Sequence, residues 1–264
     1  MALETPQKLP ANTERILPWV IAISFFMQML STTILNTALP SIAKDLNESP
    51  LGMQSVVISY MLTVATLMPL SGWVADRFGV KKVFIFANAV FVLGSVFCMF
   101  SSSLLTLVLG RIVQGIGGSF LMPVGRLAVL RVYPKERLTD VLSFISVPAL
   151  IGPLLGPTIG GIIVQFSSWQ WIFFINIPVG IIAIYFTYKF MPMLKMNSPS
   201  FDFIGFLLIA LAVLSGTLGI EASVDLHLPL HYTAPLMAFG ILLIFLYVHY
   251  AKRPPPPLFD LCVF

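Results

Sequence analysis

Charge is scarce in this chain: 10% of its 264 residues are charged, against about 25% in a soluble globular domain. So few charges cannot cover an apolar content of 58%, which excludes a water-soluble fold and makes lipid the solvent. Cysteine is scarcer, with Cys98 and Cys262 alone, so neither a disulfide framework nor a zinc-ligand spacing is available. The three histidines, His227, His231 and His249, fall at or beyond the ends of apolar runs. No phosphate-cradling glycine loop and no nucleophile elbow occur, so nothing points to ATP hydrolysis or covalent catalysis. The chain is expected not to be an enzyme, and to have no catalytic residue, cofactor, metal site or nucleic-acid partner.

What is present is a series of long apolar segments. Eight stretches are long enough to cross a hydrocarbon layer of about 30 Å. They are predicted near Ile16–Leu39, Gln54–Trp73, Val83–Phe100, Leu104–Pro123, Val141–Val164, Trp171–Phe190, Phe203–Ile220 and Tyr232–Tyr250. Lipid offers no partner to unpaired backbone groups, and these segments exceed the ten-residue strands of a barrel, so an all-α membrane protein is predicted. The polar first fifteen residues precede an apolar run too long for a signal peptide, and no cleavage is expected.

Basic residues set the orientation. With a cytoplasmic amino terminus, Lys8, Arg15, Arg77, Lys81, Lys82, Arg126, Arg131, Lys135, Arg137, Lys189, Lys195, Lys252 and Arg253 share the cytoplasmic side, and only Lys44 lies opposite. That asymmetry predicts two cytoplasmic termini. Trp19 and Trp73 are expected at the inner headgroup level, with Trp169 and Trp171 at the outer one.

Arg111 breaks the pattern, lying among Leu107, Val108, Leu109, Ile112 and Val113. An arginine at the bilayer centre costs roughly 2.5 to 3.5 kcal/mol and normally faces a protein interior or an aqueous path. It serves either the transport core or the holding of helices through backbone carbonyls. By contrast, Glu4, Glu14, Asp45, Glu48, Asp76, Glu136, Asp140, Asp202, Glu221, Asp225 and Asp260 all lie in tails, loops or span ends. No carboxylate is expected inside these helices, although proton relays are usually built from membrane Asp, Glu or His.

Two further segments carry unusual chemistry. The fifth span holds Pro148, Gly152, Pro153, Gly156, Pro157, Gly160 and Gly161. Its glycines recur at four-residue spacing and let a neighbouring backbone approach, while the prolines remove donors and bend the helix. Between the second and third spans a tight turn is expected from Gly72 to Lys82. There Asp76 suits a charge that caps or pairs with a nearby helix terminus, and the lysines suit an orientation signal.

These residues carry a resemblance. Gly72, Asp76, Arg77, Gly79, Lys81 and Lys82 resemble the cytoplasmic loop signature of the major facilitator superfamily, G-x-L-a-D-r-x-G-r-k. Gly152, Gly156, Pro157, Gly160 and Gly161 resemble its fifth-helix antiporter motif, and Arg111, Gln114 and Gly115 its fourth-helix R-x-x-Q-G motif. Asn36, Ala38, Leu39, Pro40 and Ile42, with Trp171, Ile172, Phe173, Asn176, Pro178 and Gly180, are similar to the fourteen-helix drug:proton antiporters, the bacterial multidrug exporters. The resemblance implies a cytoplasmic tail over 1–15, an amino-terminal six-helix half over 16–195, two linker helices over 196–251, and over 252–264 the start of a loop toward a missing second half.

Two departures qualify the match. The sequence ends after Pro257, Leu258, Phe259 and Asp260, so an amino-terminal portion is expected. Ser31 stands where relatives commonly carry an aspartate, and a serine neither holds charge nor exchanges a proton near pH 7.

The expected function is proton-coupled export of small amphipathic or cationic compounds from a bacterial inner membrane. The partners are lipid, substrate, protons and an accessory efflux protein. Arg111, Gln114 and Ser31 form the expected transport core, the Asp76 loop a conformational latch, and the fifth-helix glycines a moving interface. Met27, Gln28, Tyr60, Met61, Gln114, Met122 and Phe144 are candidate lining residues, because thioethers and aromatic faces adapt to varied apolar ligands. The alternatives are an exporter of one specific metabolite and a truncated fragment that transports nothing.

Overall fold

A computed structural model describes residues 11–194, 201–224 and 229–251. Lys8, Lys195, Lys252, Arg253, Glu4, Asp225, His227, Asp260, Cys262 and the loop expected over 252–264 lie outside the described residues. The described residues form ten α-helices and one 3-10 turn, with no strand among them. Eight helical stretches are long and apolar enough to cross a membrane, as the hydropathy pattern predicts.

The helices run longer than the apolar runs alone suggest. α1 (Ala11–Asp45) has 35 residues, about 52 Å at 1.5 Å per residue, so its polar ends outreach the hydrocarbon layer. α2 (Pro50–Leu67) starts with Ser49 accepting from the Gly52 amide at 3.0 Å and Pro50 in the first turn, where its missing donor costs nothing. A 3-10 turn at Met68–Leu70 follows, because Pro69 cannot continue the α-helical ladder. α3 (Ser71–Phe78) then leads to α4 (Val80–Met99).

The turn expected from Gly72 to Lys82 is therefore helix on both sides of Gly79. That residue alone breaks the chain, at φ 91°, a conformation that glycine adopts without steric cost. Asp76 accordingly sits inside the last turn of α3 and not beyond a span.

α5 (Leu104–Val132) opens with a capping box between Ser103 and Thr106. It extends nine residues past the predicted boundary at Pro123 and stops where Pro134 holds Tyr133 in an extended conformation. α6 (Lys135–Phe166) runs unbroken through Pro148, Pro153 and Pro157. The predicted sixth span is two helices, α7 (Trp171–Phe174) and α8 (Asn176–Phe190), since Pro178 cannot donate to the Phe174 carbonyl. α9 (Phe203–Val224) and α10 (Leu230–Tyr250) complete the chain.

Packing defines a bundle with α1 and α5 as its most enclosed members. α1 packs chiefly on α6 and α8, α4 on α5 and α8, and α2 on α5. α9 and α10 pair mainly with each other, and α9 leans on α2. One end of the bundle gathers Glu14, Asp76, Arg131 and Arg137, tied by two ion pairs. At the other end the indole of Trp169, 4% exposed, donates to Asp45 at 2.8 Å. Trp169 is thus buried and bonded at this end; Trp19 and Trp171 are exposed.

Candidate functional site

Polar side chains of α5 build the centre. Arg111 is fully buried, and its Nη1 donates to Gln114 Oε1 at 2.6 Å. Its Nε donates to the Val56 carbonyl at 3.4 Å, and the guanidinium lies 4.2 Å from the centroid of the Tyr60 ring. Arg111 thus bonds a backbone carbonyl of α2 and, through Gln114, joins a set of buried polar side chains. Gln114 Nε2 passes the network on, donating to Ser95 Oγ at 2.7 Å and to Ser31 Oγ at 3.2 Å. Asn176 Nδ2 approaches Ser31 Oγ at 3.4 Å. Five elements, α2, α5, α4, α1 and α8, are joined through one string of side chains.

The glycines around this string explain how it closes. A Cβ on Gly94 would lie 2.5 Å from the Gln114 Cα, and one on Gly115 would lie 3.1 Å from the Tyr60 carbonyl. The helices can approach this closely only because both positions lack a side chain. Ser95 escaped the sequence reading, as did Asn88, which accepts from Ser24 Oγ at 3.1 Å and donates to the Phe84 carbonyl at 2.9 Å. A lone amide in the otherwise apolar third span was the available signal.

The candidate lining residues do not converge on one cavity. Met27, Gln28, Tyr60 and Gln114 are buried within the bundle, and Met61 packs against its core. Phe144 is exposed and meets Trp19 edge to face at 4.8 Å. Met122 instead borders an open hollow of about 500 Å³ with Met68, Gly72, Pro123, Arg126 and Leu130.

That hollow adjoins the expected latch, whose members divide. Asp76 forms an ion pair with Arg131 near the end of α5, so its partner is a side chain and not a helix terminus. Lys81 Nζ lies 5.2 Å from the Tyr188 ring centroid. Gly72, Arg77 and Lys82 are exposed. Arg137 pairs with Glu14, whose carbonyl accepts from the Tyr133 hydroxyl at 2.7 Å. Burial pushes the Tyr133 phenol up to about 12, so it remains a donor.

The α6 glycines divide as well. Cβ atoms on Gly152, Gly156 and Gly160 would lie 2.9 Å from the Leu30 amide nitrogen, 3.0 Å from that of Ile34 and 2.8 Å from the Ile34 carbonyl. These three form the seam between α6 and α1. Pro157 faces outward, and a Cβ on Gly161 would meet Thr37 at an ordinary 3.9 Å.

No carboxylate is buried among the described residues, and among them no cluster of His, Cys, Asp and Glu could hold a metal ion. A membrane bundle with a buried arginine network and an acid–arginine pair at one end matches a known family. The Major Facilitator Superfamily profile covers residues 21–253. This chain belongs to that superfamily.

Among curated members of the superfamily, the chain is 48% identical over 257 residues to a Citrobacter koseri protein named "Putative multidrug resistance protein MdtD". A Salmonella paratyphi A protein of the same name is 47% identical. Each alignment covers 97% of this chain and 54% of the relative, so the chain spans about half the length of these relatives. Among solved superfamily-like folds, a peptide transporter POT crystallised with sulfate matches with a TM-score of 0.65 at 15% identity. It covers 91% of this chain and 53% of its own. The human organic anion transporter MFSD10 matches at 0.60 and 14%, with 94% and 74% covered. At such identities these structures show the fold alone.

Proposed function

We propose that this chain forms part of a secondary active transporter that exports small amphipathic molecules by alternating access. The observation that carries this reading is the Arg111–Gln114–Ser31 string, a buried cationic network joining five elements of a superfamily bundle. Such a network is costly in lipid unless it serves a path through the protein. The 48% identity to a protein named for multidrug resistance supports efflux as the direction.

In this reading 16–195 forms one six-helix half, 196–251 supplies two linker helices, and the bacterial inner membrane is the location. The basic end, with Glu14, Asp76, Arg131 and Arg137, faces the cytoplasm, as the positive-inside rule requires. Asp76 with Arg131 latches the cytoplasmic side, and the α1–α6 seam at Gly152, Gly156 and Gly160 forms a moving interface. Protons drive export, and the carboxylate that carries them comes from outside the described residues, whose buried set holds none. An accessory efflux protein completes the proposed partners.

Energised uptake into inverted vesicles bearing the full-length protein tests this reading. Accumulation of an amphipathic dye that collapses when the proton gradient is dissipated is the expected result. Equal accumulation in vesicles lacking the protein would refute it.

A further inference from the structure

Arg111 carries a full positive charge with no counterion beside it among the described residues. The titratable groups next to it are Tyr60 on α2 and Cys98 on α4, a phenol and a thiol that are uncharged at pH 7 by their ordinary values. Cys98 Sγ is already committed, lying 3.8 Å from the Leu107 carbonyl. The string beyond Gln114 offers Ser31, Ser95 and Asn176, all neutral. At the bundle end the arrangement differs, since Arg131 there has Asp76.

The hydrogen-bonding inventory sharpens the point. Arg111 Nη2 and the Tyr60 hydroxyl are both buried; Nη2 has no hydrogen-bond partner, and the hydroxyl sits beside the side chains of Thr32 and Gln28. They belong to side chains stacked 4.2 Å apart. An unsatisfied donor on an uncompensated guanidinium is costly in a low-dielectric interior and would be relieved by an anionic acceptor. The phenol packs directly against α5 at Gly118, where a Cβ would lie 2.8 Å from the Tyr60 oxygen.

We infer that Arg111 and Tyr60 form the recognition site for a carboxylate on the transported molecule, so the substrate is an anionic or zwitterionic amphiphile and not a simple cation. This rests on the export reading above, and narrows it. Arg111 holds the carboxylate through Nη2 while Nη1 stays on Gln114, and the Tyr60 hydroxyl donates to the second oxygen. Because both groups are closed off from solvent, the site fills only in a conformation that opens α2 against α5.

A matched pair of dyes tests this with the purified full-length protein: dansylglycine, which carries a carboxylate, and dansylcadaverine, which carries an ammonium. Equilibrium fluorescence titration should show tighter binding of dansylglycine. Tyr60→Phe should weaken it about tenfold or more, the loss expected for one hydrogen bond to a charged acceptor. Arg111→Gln should weaken it by roughly tenfold to a hundredfold. Tyr60→Phe removes only a hydroxyl and keeps the ring on the Arg111 guanidinium, so it keeps the test sound if Arg111→Gln fails to fold. No binding of dansylglycine, tighter binding of dansylcadaverine, or unchanged affinity in Tyr60→Phe would each overturn the inference. Binding without vesicle transport would instead refute the export reading and leave the carboxylate site standing.

Discussion

Asp76 on α3 and Arg131 on α5 form an ion pair that ties the short helix ending the second span to the end of the fourth. Arg131 Nη1 is buried without any partner, so this cation depends on Asp76 for its compensation.

Asp76→Asn in the full-length protein should reduce transport by about tenfold or more while membrane abundance stays near wild type. It removes the charge and keeps the shape, so a latch is lost without a packing contact. Vesicle transport beside an immunoblot of the same membranes decides this, and parallel loss of protein and activity would assign Asp76 to folding. The swap Asp76→Arg with Arg131→Asp should recover part of the activity.

Glycine contacts make a contrasting pair. Gly117→Ala would place a Cβ 2.6 Å from the Ala87 carbonyl, whereas Gly72→Ala meets nothing within 4 Å. Overpacking of a tight helix seam costs about 1 to 3 kcal/mol. Thermal unfolding in detergent should therefore fall for Gly117→Ala and hold or rise slightly for Gly72→Ala, since alanine favours helix. An unchanged midpoint for Gly117→Ala would mean that α4 and α5 can part without cost.

Arg111→Lys should lose most of its transport. One ammonium cannot bond both Gln114 Oε1 and the Val56 carbonyl while lying flat on Tyr60, because lysine lacks the planar fork. Wild-type rates in this variant would reduce Arg111 to a point charge.

Ser31→Asp should shift substrate preference toward dansylcadaverine and make transport more sensitive to pH. A carboxylate there would accept from both Gln114 and Asn176 and give the Arg111 string an internal counterion. Paired dye uptake across pH is the measurement, and unchanged preference with unchanged pH dependence would take Ser31 out of the mechanism.

A reporter fused after Phe264 should be cytoplasmic. Alkaline phosphatase activity at that junction would invert the orientation assigned from Arg77, Lys81, Arg131 and Arg137.

Hydropathy made the number of spans legible, because a length of apolar residues is a property of the sequence alone. Helix ends were not legible. Arg126, Arg131 and Asp76 read as loop charges, yet they sit on helices that outlast the apolar run. Arg111 stood out through its chemistry and Gln114 through the resemblance, and the two proved to be bonded neighbours. Asp76's partner could not be found by reading along the chain, since Arg131 lies 55 residues away among other basic residues of equal plausibility. The seam role of Gly152, Gly156 and Gly160 followed from their spacing, whereas which helix they would meet did not.

Gly79 has a mechanical consequence. With a single residue between α3 and α4, the two helices share a bearing and cannot slide past each other. Twenty residues of α4 make a lever of about 30 Å. A turn of about 10° at that bearing therefore carries its far end through about 5 Å. The Asp76 end of α3 sits three residues from this pivot, so in the proposed transport cycle a small movement there accompanies a far larger one at the other end of α4.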